Sequence, residues 1–357
     1  MMCKAKKWLW KVALTLLVSC SSQEESSLHL DFETLMGHKL PTWNYHIQTP
    51  EDFDNLHFFK QIYEKNIPFL KMKSTMFYVP KIIHFIWLGP RPFPRESLDN
   101  IRSWIAKHPD WTIKFWTDRD MPLPHKQLQL CKIQDLQFIA LLDCYKKSDN
   151  YAEKSDLLRY EILYQEGGIY ADHDVKCFQT FEPLCKAFDF YCGMEIPSSS
   201  SFASSVLPAN NILGARPGHP IFKKAMEWLS DEWDRIELEF PGKDRDSIIN
   251  RVTHRTLFAL ELAFKQASNQ DSNRDIALPT FYFNAPEDHL SIFSRHLYRG
   301  TWFENETEFE KLTNKKIKKI SKKADKVLLA FAAFSFINIT GMTLLWIKYR
   351  SLRRHQE

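Results

Sequence analysis

The sequence KSDLLRYEILYQEGGIYADHD, residues 154–174, decides the fold. Its first part belongs to a predicted helix over 151–166, because apolar residues recur there at helical spacing. Gly167 and Gly168 end that helix, since glycine tolerates the left-handed backbone of a helix cap. A strand is predicted at 169–171, and Asp172 and Asp174 are therefore expected at the carboxyl edge of a sheet.

Outward from this stretch, short apolar runs alternate with helical stretches. Strands are predicted at 82–88, 112–116, 188–194, 212–215 and 281–283. Helices are predicted at 51–65, 97–107, 221–232 and 248–264, and a further helical stretch is predicted to end at Leu142. This alternation predicts an α/β fold with a Rossmann-type, mostly parallel sheet flanked by helices and ligands beyond the carboxyl ends of the strands.

Charge is distributed unevenly along the 357 residues, although the formal net charge is only +4. Residues 311–357 hold twelve Lys or Arg against two acids, and residues 1–11 hold four Lys and no acid, which leaves 32 basic against 42 acidic residues between them. An acidic body repels phosphate backbones, so nucleic acid is excluded as a partner. The basic ends indicate a membrane as a partner instead.

Residues 327–347 form an uncharged apolar run of 21 residues between two basic flanks. At about 1.5 Å per residue, such a helix spans a hydrocarbon core of roughly 30 Å, so one C-terminal transmembrane helix is predicted. More basic residues precede it than follow it, which predicts a single-pass membrane protein whose body faces the cytoplasm.

The N-terminus predicts a different topology. Lysines precede a short apolar stretch that ends at Cys20, which resembles a lipoprotein signal and predicts export. The alternative is an uncleaved interfacial helix with Trp8 and Trp10 as anchors, because Lys11 interrupts the apolar stretch. Both interpretations stay open.

Four Asp-x-Asp triplets occur in the chain, beginning at Asp52, Asp118, Asp172 and Asp244. Two such carboxylates can share a hard divalent ion that neutralises a diphosphate. Only the triplet at Asp172 follows a helix, a glycine pair and an apolar strand, so this one is the predicted metal site.

The helix before this triplet carries Asp156 and Arg159 three residues apart on one face. One interpretation is an ion pair on a solvated helix surface. The other is a polar cradle for hydroxyl groups and phosphate, because the pair leads directly to Asp172.

The stretch 154–174 resembles the sugar-binding DXD region of glycosyltransferases, a group that includes yeast-type initiating mannosyltransferases, bacterial capsular sugar transferases and the large clostridial glucosylating toxins. Residues 80–89 resemble the first strand of that family, and Ser103-Trp104 with 108–111 resemble the helix and strand that follow it. Residues 211–220 and 296–302 resemble later elements. The resemblance covers roughly residues 80–303 and implies a GT-A-like fold.

The resemblance also implies roles for individual residues. Trp87 is expected to stack on the nucleotide base, although a core tryptophan is the alternative. Asp172 and Asp174 are the expected metal ligands, for Mn²⁺ or Mg²⁺. The expected catalytic residues are Asp156, Arg159, Asp172 and Asp174. The expected donor-binding residues are Trp87, Asp156, Arg159, Asn211, His296 and Trp302, with a structural role as the alternative for His296.

The predicted organisation follows from the ends and the resemblance together. It comprises a signal-like or membrane-associating N-terminus (1–26), a helical pre-domain (27–78), a GT-A-like catalytic domain (79–305), a basic juxtamembrane segment (306–326), the transmembrane helix (327–347) and a basic tail (348–357).

The predicted function is that of a metal-dependent glycosyltransferase. The enzyme is expected to move a hexose from a UDP- or GDP-sugar to a glycan, lipid-linked or protein acceptor, with the retention of configuration that the resemblance implies. The chain has His254-Arg255-Thr256 where many relatives carry Thr-Gly-Pro, and this departure leaves acceptor binding open.

Two other classes compete with this function. One is a membrane-bound, non-catalytic glycan-binding or scaffold protein on a transferase fold. The other is a phosphohydrolase of the haloacid dehalogenase type, which the sequence disfavours because it contains no Gly-Asp dipeptide.

Overall fold

The computed structural model describes residues 31–40, 43–197, 204–242, 244–286 and 289–298, together with Ala324 and Val327. The predictions for 1–26, for Trp302 and the basic segments, and for all but Val327 of the predicted membrane-spanning stretch lie outside the described residues. Among the residues described, no helix combines the length and the hydropathy that a membrane crossing requires.

A seven-stranded sheet forms the centre of the described part of the chain, in the order β3-β2-β1-β4-β7-β6-β8. Its strands are β1 (Ile82–Ile86), β2 (Thr112–Thr117), β3 (Leu128–Lys132), β4 (Gly168–Ala171), β6 (Phe190–Met194), β7 (Pro208–Ala215) and β8 (Asp275–Leu278). All of these strands except β7 run in the same direction. The predicted α/β class with a mostly parallel sheet is confirmed, and the carboxyl ends of β1, β4, β6 and β8 meet at one edge.

A two-stranded antiparallel ribbon lies beyond that edge, made of β5 (Val175–Cys177) and β9 (Ser294–His296). The helices are α1 (Phe32–Met36), α2 (Trp43–His46), α3 (Pro50–Asn66), α4 (Leu98–Lys107), α5 (Leu142–Lys147), α6 (Tyr151–Glu166), α7 (Glu182–Ala187), α8 (Pro220–Glu239), α9 (Arg245–Thr253) and α10 (Ala259–Ala267). The predicted helices at 51–65, 97–107, 151–166 and 221–232 are thereby confirmed to within a few residues, except that α8 is longer.

Helix α3 packs on the sheet through buried polar contacts. Its N-terminus is closed by a capping box between Thr49 and Asp52. Asn55 Nδ2 donates to the carbonyl oxygen of Val206 at 2.9 Å, and Asn66 Nδ2 donates to the carbonyl oxygen of Asp275 at 2.7 Å. The helix therefore covers the edge of the sheet that β8 forms.

Two predicted elements are wrong, and a third is confirmed as helical but is not a regular α-helix throughout. The helical stretch expected to end at Leu142 contains β3 instead, because Pro122 and Pro124 interrupt any helix and the following residues pair with β2. The strand expected at 281–283 is a 3₁₀ turn, Thr280–Tyr282, whose aromatic rings pack in the core without strand pairing. The helix expected at 248–264 is interrupted by a π-helical turn, His254–Phe258, between α9 and α10.

The start of β4 is fixed by backbone contacts that exclude a side chain. Gly168 has a φ of +94°, and a Cβ atom there would lie 2.6 Å from the carbonyl oxygen of Ile82. Beside it, His84 Nδ1 accepts from Trp116 Nε1 at 3.1 Å, and His84 Nε2 donates to the carbonyl oxygen of Gly167 at 2.9 Å. Burial lowers the pKa of His84 to about 4, so this imidazole is neutral at pH 7. These contacts set the register of β4 and with it the position of Asp172.

Replacing Gly168 by alanine tests this constraint. Gly168→Ala is expected to lower the free energy of unfolding by about 3 kcal/mol or more, because the backbone strain adds to the contact with Ile82. Gly218→Ala is the matched control, since Gly218 also has a positive φ but a Cβ atom there meets nothing within 4 Å; its expected cost is about 1–2 kcal/mol. Urea unfolding of both variants measures the difference, and equal losses would contradict the assigned role of Gly168.

Candidate active site

The acidic triplet Asp172-His173-Asp174 lies where β4 leaves the sheet. The backbone N–H of Asp172 donates to the carbonyl oxygen of Asn211 on β7 at 2.9 Å. Between the two acids, His173 Nδ1 lies 2.9 Å from Ser97 Oγ, and the His173 carbonyl oxygen accepts from Asn100 Nδ2 at 3.2 Å. The middle residue of the triplet is thus anchored to the start of α4, and this anchoring holds the acids on either side of it.

His296 joins the two acids because β9 pairs with β5, which follows the triplet directly. In this pairing His296 lies opposite Val175. His296 Nε2 is 3.3 Å from Asp174 Oδ1 and 3.9 Å from Asp172 Oδ2. Burial alone would lower the pKa of His296, but the hydrogen bond and charge of Asp174 and the charge of Asp172 raise it above its ordinary value. The imidazole therefore compensates part of the negative charge of the triplet.

The three side chains Asp172, Asp174 and His296 could hold a metal ion, since one ligand atom from each lies within 4.8 Å of the others. Two carboxylates and one imidazole suit a divalent ion that accepts both oxygen and nitrogen ligands, and Mn²⁺ is such an ion. Three protein ligands leave coordination positions for water and for the oxygens of a diphosphate. Of the two predicted ions, the chemistry of the donor set therefore fits Mn²⁺ better than Mg²⁺, which prefers oxygen ligands, and it adds His296 to the two predicted ligands.

Asp156 and Arg159 are buried, with 1% and 4% of their surfaces exposed, so the interpretation as a solvated surface pair is wrong. Arg159 Nη2 pairs with Asp156 and lies 3.3 Å from Asp172 Oδ1. Arg159 Nη1 donates to the carbonyl oxygen of Asn210 at 2.6 Å. Although burial alone would lower the pKa of Arg159, the charge of Asp156 holds it above its ordinary value, so the guanidinium stays charged. Arg159 therefore connects α6, the triplet and β7.

Tyr170, on β4, contacts both Asp172 and Arg159. Its hydroxyl donates to Asp172 Oδ1 at 2.5 Å, and the Arg159 guanidinium lies 4.1 Å from the centre of its ring. This bond occupies Oδ1 of Asp172, while Oδ2 is the oxygen nearer to His296. The arrangement divides the two oxygens of Asp172 between the buried pair and the candidate metal site.

Several buried polar atoms around this pair lack a hydrogen-bond partner within the described part of the chain. They are Asp156 Oδ2, Arg159 Nε, Asn210 Nδ2 and Asn211 Oδ1. Burial raises the pKa of Asp156, and the positive charge of Arg159 opposes that shift. Buried polar atoms are normally paired, so this cluster favours a bound ligand that carries both donors and acceptors. A sugar has hydroxyl groups of this kind.

Trp87 lies at the carboxyl end of β1, beside the triplet. Its indole ring is half-buried and packs edge-on against Phe93 and His173, with ring centres 5.5 and 4.9 Å apart. Its Nε1 donates to the carbonyl oxygen of Arg91 at 3.0 Å. The ring is therefore held in one orientation at the site, where part of it is exposed and part packs against the hydrophobic core.

Two residues at the site, Glu195 and Tyr298, were missed from the sequence. Glu195 directly follows β6, just as Asp172 directly follows β4. An acidic residue just after a predicted strand was the sequence signal that could have identified it. Burial raises the pKa of Glu195, while the charge of His296 opposes the shift. Tyr298 packs its ring 4.1 Å from the imidazole of His296 and has a positive φ of 47°, which is rare for an aromatic residue. No local sequence pattern predicts that contact.

The other three Asp-x-Asp triplets have structural roles. Asp52 caps α3, and Asp244 accepts from the backbone N–H of Ser247 at 3.0 Å to cap α9. Asp118 accepts from the backbone N–H of Gly89 through both carboxylate oxygens, at 3.1 and 3.2 Å. Within the described residues, the triplet at Asp172 is thus the one that takes part in a candidate metal site.

Comparison with known proteins finds a family match for the part of the chain that contains the triplet. Residues 94–191, from the turn before α4 to β6, match the family model described as a glycosyltransferase sugar-binding region containing a DXD motif. The matched residues include Asp156, Arg159, Asp172 and Asp174. The predicted resemblance to the sugar-binding DXD region of glycosyltransferases is therefore confirmed for residues 94–191.

Individual relatives come from fungi and bacteria. The chain is 32% identical over 151 residues to inositol phosphoceramide mannosyltransferase 3 of Schizosaccharomyces pombe, covering 42% of this chain and 37% of that protein. It is 30% identical over 118 residues to the subversion of eukaryotic traffic protein A of Legionella pneumophila, covering 29% of this chain and 18% of that protein. The chain thus matches well under half the length of either relative.

Solved structures give a looser similarity. The PaToxG glycosyltransferase superposes with a TM-score of 0.39 and 16% sequence identity, over 62% of this chain and 81% of that one.

Replacing Asp174 tests the metal site. Asp174→Asn keeps the size of the side chain but removes a charged ligand, so the affinity for Mn²⁺ in the presence of UDP or GDP is expected to fall at least about 10- to 100-fold, the loss seen even for outer ligand partners. Titration calorimetry measures it. Asp244→Ala is the matched control from another triplet; it removes a helix cap and is expected to leave Mn²⁺ affinity unchanged. Equal affinities of Asp174→Asn and the wild type would refute the assignment.

Proposed function

We propose that this protein is a metal-dependent glycosyltransferase that moves a hexose from a UDP- or GDP-sugar to an acceptor hydroxyl. The observation that carries this proposal is the direct connection between the cluster of Asp172, Asp174 and His296 and the buried pair of Asp156 and Arg159. A metal site next to a buried cationic group matches what a sugar diphosphate needs: charge neutralisation at the diphosphate and hydrogen bonds at the sugar.

In this proposal Asp172, Asp174 and His296 hold Mn²⁺ or Mg²⁺. The bound ion would offset the negative charge that develops on the departing nucleoside diphosphate. Arg159 adds a second positive charge, held in one orientation by Asp156 and by the carbonyl oxygen of Asn210. Fixed charges that need no rearrangement during the reaction are commonly the largest contribution to catalysis.

The remaining site residues bind the donor. The half-buried indole of Trp87 is proposed to stack on the nucleotide base, because its ring is held at the end of β1 beside the triplet. Asp156 and Asn210 are proposed to bond to hydroxyl groups of the sugar through the buried atoms that lack partners within the described residues. Asn211 contributes its carbonyl oxygen to Asp172 and lies at the same edge. Trp302 keeps its proposed role from the family resemblance alone.

The stereochemistry and the acceptor are part of the proposal. Retention of anomeric configuration follows from the family resemblance, by attack on the face from which the diphosphate leaves. The acceptor would be a glycan, a lipid-linked sugar or a protein, and mannose is the first sugar to test because of the name of the fission yeast relative. Residues 327–347 are proposed to attach the chain to a membrane, with the catalytic part facing the cytoplasm.

A screen of sugar nucleotides tests this function. The purified full chain is incubated with GDP-mannose, UDP-glucose or UDP-galactose, and the release of GDP or UDP is measured with Mn²⁺ and with EDTA. One donor is expected to give Mn²⁺-dependent release, which EDTA abolishes and added Mn²⁺ restores. His296→Ala is expected to lower the rate by a factor of 100 or more, since it removes a metal ligand.

Thermal unfolding separates this function from the non-catalytic alternative. A transferase binds the metal and the nucleotide together, and a ligand present at 100 times its dissociation constant stabilises the folded state by about 2.7 kcal/mol. The melting temperature is therefore expected to rise with Mn²⁺ plus UDP or GDP and to rise less with either alone. A protein that releases no nucleoside diphosphate and whose melting temperature does not respond to these pairs would contradict the proposed function and favour a scaffold.

A further inference from the structure

The carboxyl ends of three strands place three side chains along one edge of the sheet. Trp87 follows β1, Asp172 follows β4 and Glu195 follows β6. Strand β1 is next to β4 on one side, whereas β7 and then β6 lie on the other side. Neighbouring strands are about 4.8 Å apart, so Glu195 lies roughly 10 Å along the edge from Asp172, on the side away from Trp87. A donor with its base at Trp87 and its diphosphate at the metal site therefore leaves the region of Glu195 to the acceptor.

The backbone of Glu195 is fixed by hydrogen bonds, whereas its carboxylate accepts few of them within the described residues. Its backbone N–H donates to the carbonyl oxygen of Leu207 at 2.9 Å, and its own carbonyl oxygen accepts from Thr280 Oγ1 at 3.0 Å. The partly buried carboxylate receives one side-chain hydrogen bond within the described residues, a long one of 3.4 Å from the hydroxyl of Tyr298. A carboxylate can accept about four hydrogen bonds, so most of its capacity is open to a ligand.

Tyr298 provides an aromatic surface next to this carboxylate. Its ring packs against the imidazole of His296 with ring centres 4.1 Å apart, yet 48% of the residue is exposed. An exposed aromatic ring beside a carboxylate offers both contacts that a sugar ring uses, since the C–H groups pack on the aromatic face and the hydroxyl groups donate to the carboxylate.

We infer that Glu195 and Tyr298 form an acceptor subsite for a polyhydroxylated ring, such as a sugar or a cyclitol. One hydroxyl of the acceptor faces the anomeric carbon of the donor, and a neighbouring hydroxyl donates to the Glu195 carboxylate. The side chain of a serine or threonine has a single hydroxyl and cannot supply both. This inference rests on the proposed function and specifies its acceptor.

The transfer itself balances without a proton going to Glu195. The bond from the anomeric carbon to the diphosphate oxygen breaks, and its electron pair leaves with the diphosphate. The acceptor oxygen forms the new glycosidic bond, and its proton goes to an oxygen of the departing diphosphate. Glu195 therefore acts as an acceptor-binding residue that positions the attacking hydroxyl.

Kinetics with Glu195→Gln test the subsite. Methyl hexosides and myo-inositol serve as acceptors, with the donor that the wild type hydrolyses. The KM for the acceptor is expected to rise about 10-fold, because the hydrogen bond to a charged carboxylate is replaced by a weaker one to a neutral amide oxygen. The KM for the donor is expected to change less than about twofold. Glu182→Gln, a surface acid paired with Lys186, is the matched control and is expected to change neither value.

Substitution of Tyr298 separates the ring from the hydroxyl. Tyr298→Ala is expected to raise the KM for the acceptor about as much as Glu195→Gln does, whereas Tyr298→Phe keeps the aromatic surface and is expected to raise it less than threefold. Should Glu195→Gln fail to fold, Glu195→Asp serves in its place, since the shorter carboxylate is expected to raise the same KM.

The outcomes distinguish the two proposals. A wild type that hydrolyses a donor but glycosylates only serine or threonine peptides overturns the polyol acceptor and leaves the proposed function standing. An unchanged acceptor KM in Glu195→Gln, with an active wild type, also overturns the subsite alone. A wild type that neither binds nor hydrolyses any donor overturns the proposed function and the subsite with it.

Discussion

The site depends on the contacts that the guanidinium of Arg159 makes with two carboxylates and one backbone carbonyl. The guanidinium is buried, and it binds Asp156 on its own helix, Asp172 of the triplet and the backbone of β7 at Asn210. Asp172 and Asp174 carry like charges close together, and a low-dielectric site tolerates such charges only when cations lie near them. Arg159 offsets the negative charge of Asp172 from the side of the protein core. His296, on β9, lies near both acids on the opposite side. A divalent ion bound by the two acids would replace the proton of His296, because an imidazole must be neutral to coordinate a metal, and would supply the positive charge in its place.

Local sequence signals were enough to predict the part of the site that comes from one continuous stretch. Helix α6, the glycine pair, β4 and the triplet are consecutive in sequence, and each is determined by its own residues: apolar spacing in the helix, positive φ at Gly167 and Gly168, and an apolar run before Asp172. The triplet comes directly after β4, so the direction of that strand places it at the carboxyl edge of the sheet. The same signals predicted β1 and β2, because their apolar runs are buried on both faces.

The rest of the site depends on contacts between distant parts of the chain, which local patterns do not reveal. His296 reaches the triplet through the pairing of β5 with β9, two strands of three residues each that lie more than a hundred residues apart in sequence. Glu195 reaches the same edge only because β6 runs in the direction of β4, and this direction depends on the reversed strand β7 between them. Edge strand β3 was mistaken for a helix because its five residues are too short a run for alternation to stand out, and it becomes a strand through its pairing with β2.

The segment His254-Arg255-Thr256, which the sequence left open as a part of acceptor binding, has a structural role. Arg255, in the π-helical turn, is fully buried and bonds to Glu153 at 2.9 Å and to Glu237 at 2.8 Å, with its guanidinium 3.5 Å from the centre of the Trp233 ring. The next residue, Thr256, accepts from the hydroxyl of Tyr160 at 2.9 Å through its carbonyl oxygen. These contacts brace α6 along the side that carries Asp156. Arg255 and Thr256 therefore support the position of the Asp156 and Arg159 pair.

Anomalous X-ray scattering from crystals grown with Mn²⁺ and UDP or GDP tests the central claim most directly, because it locates manganese without reference to the protein. A single strong manganese peak is expected, bonded to Asp174 and His296, in contact with Asp172 directly or through water, and with the diphosphate on its open side. Manganese found elsewhere, or Asp172 and Asp174 still bonded only to protein groups while nucleotide is present, would contradict that claim.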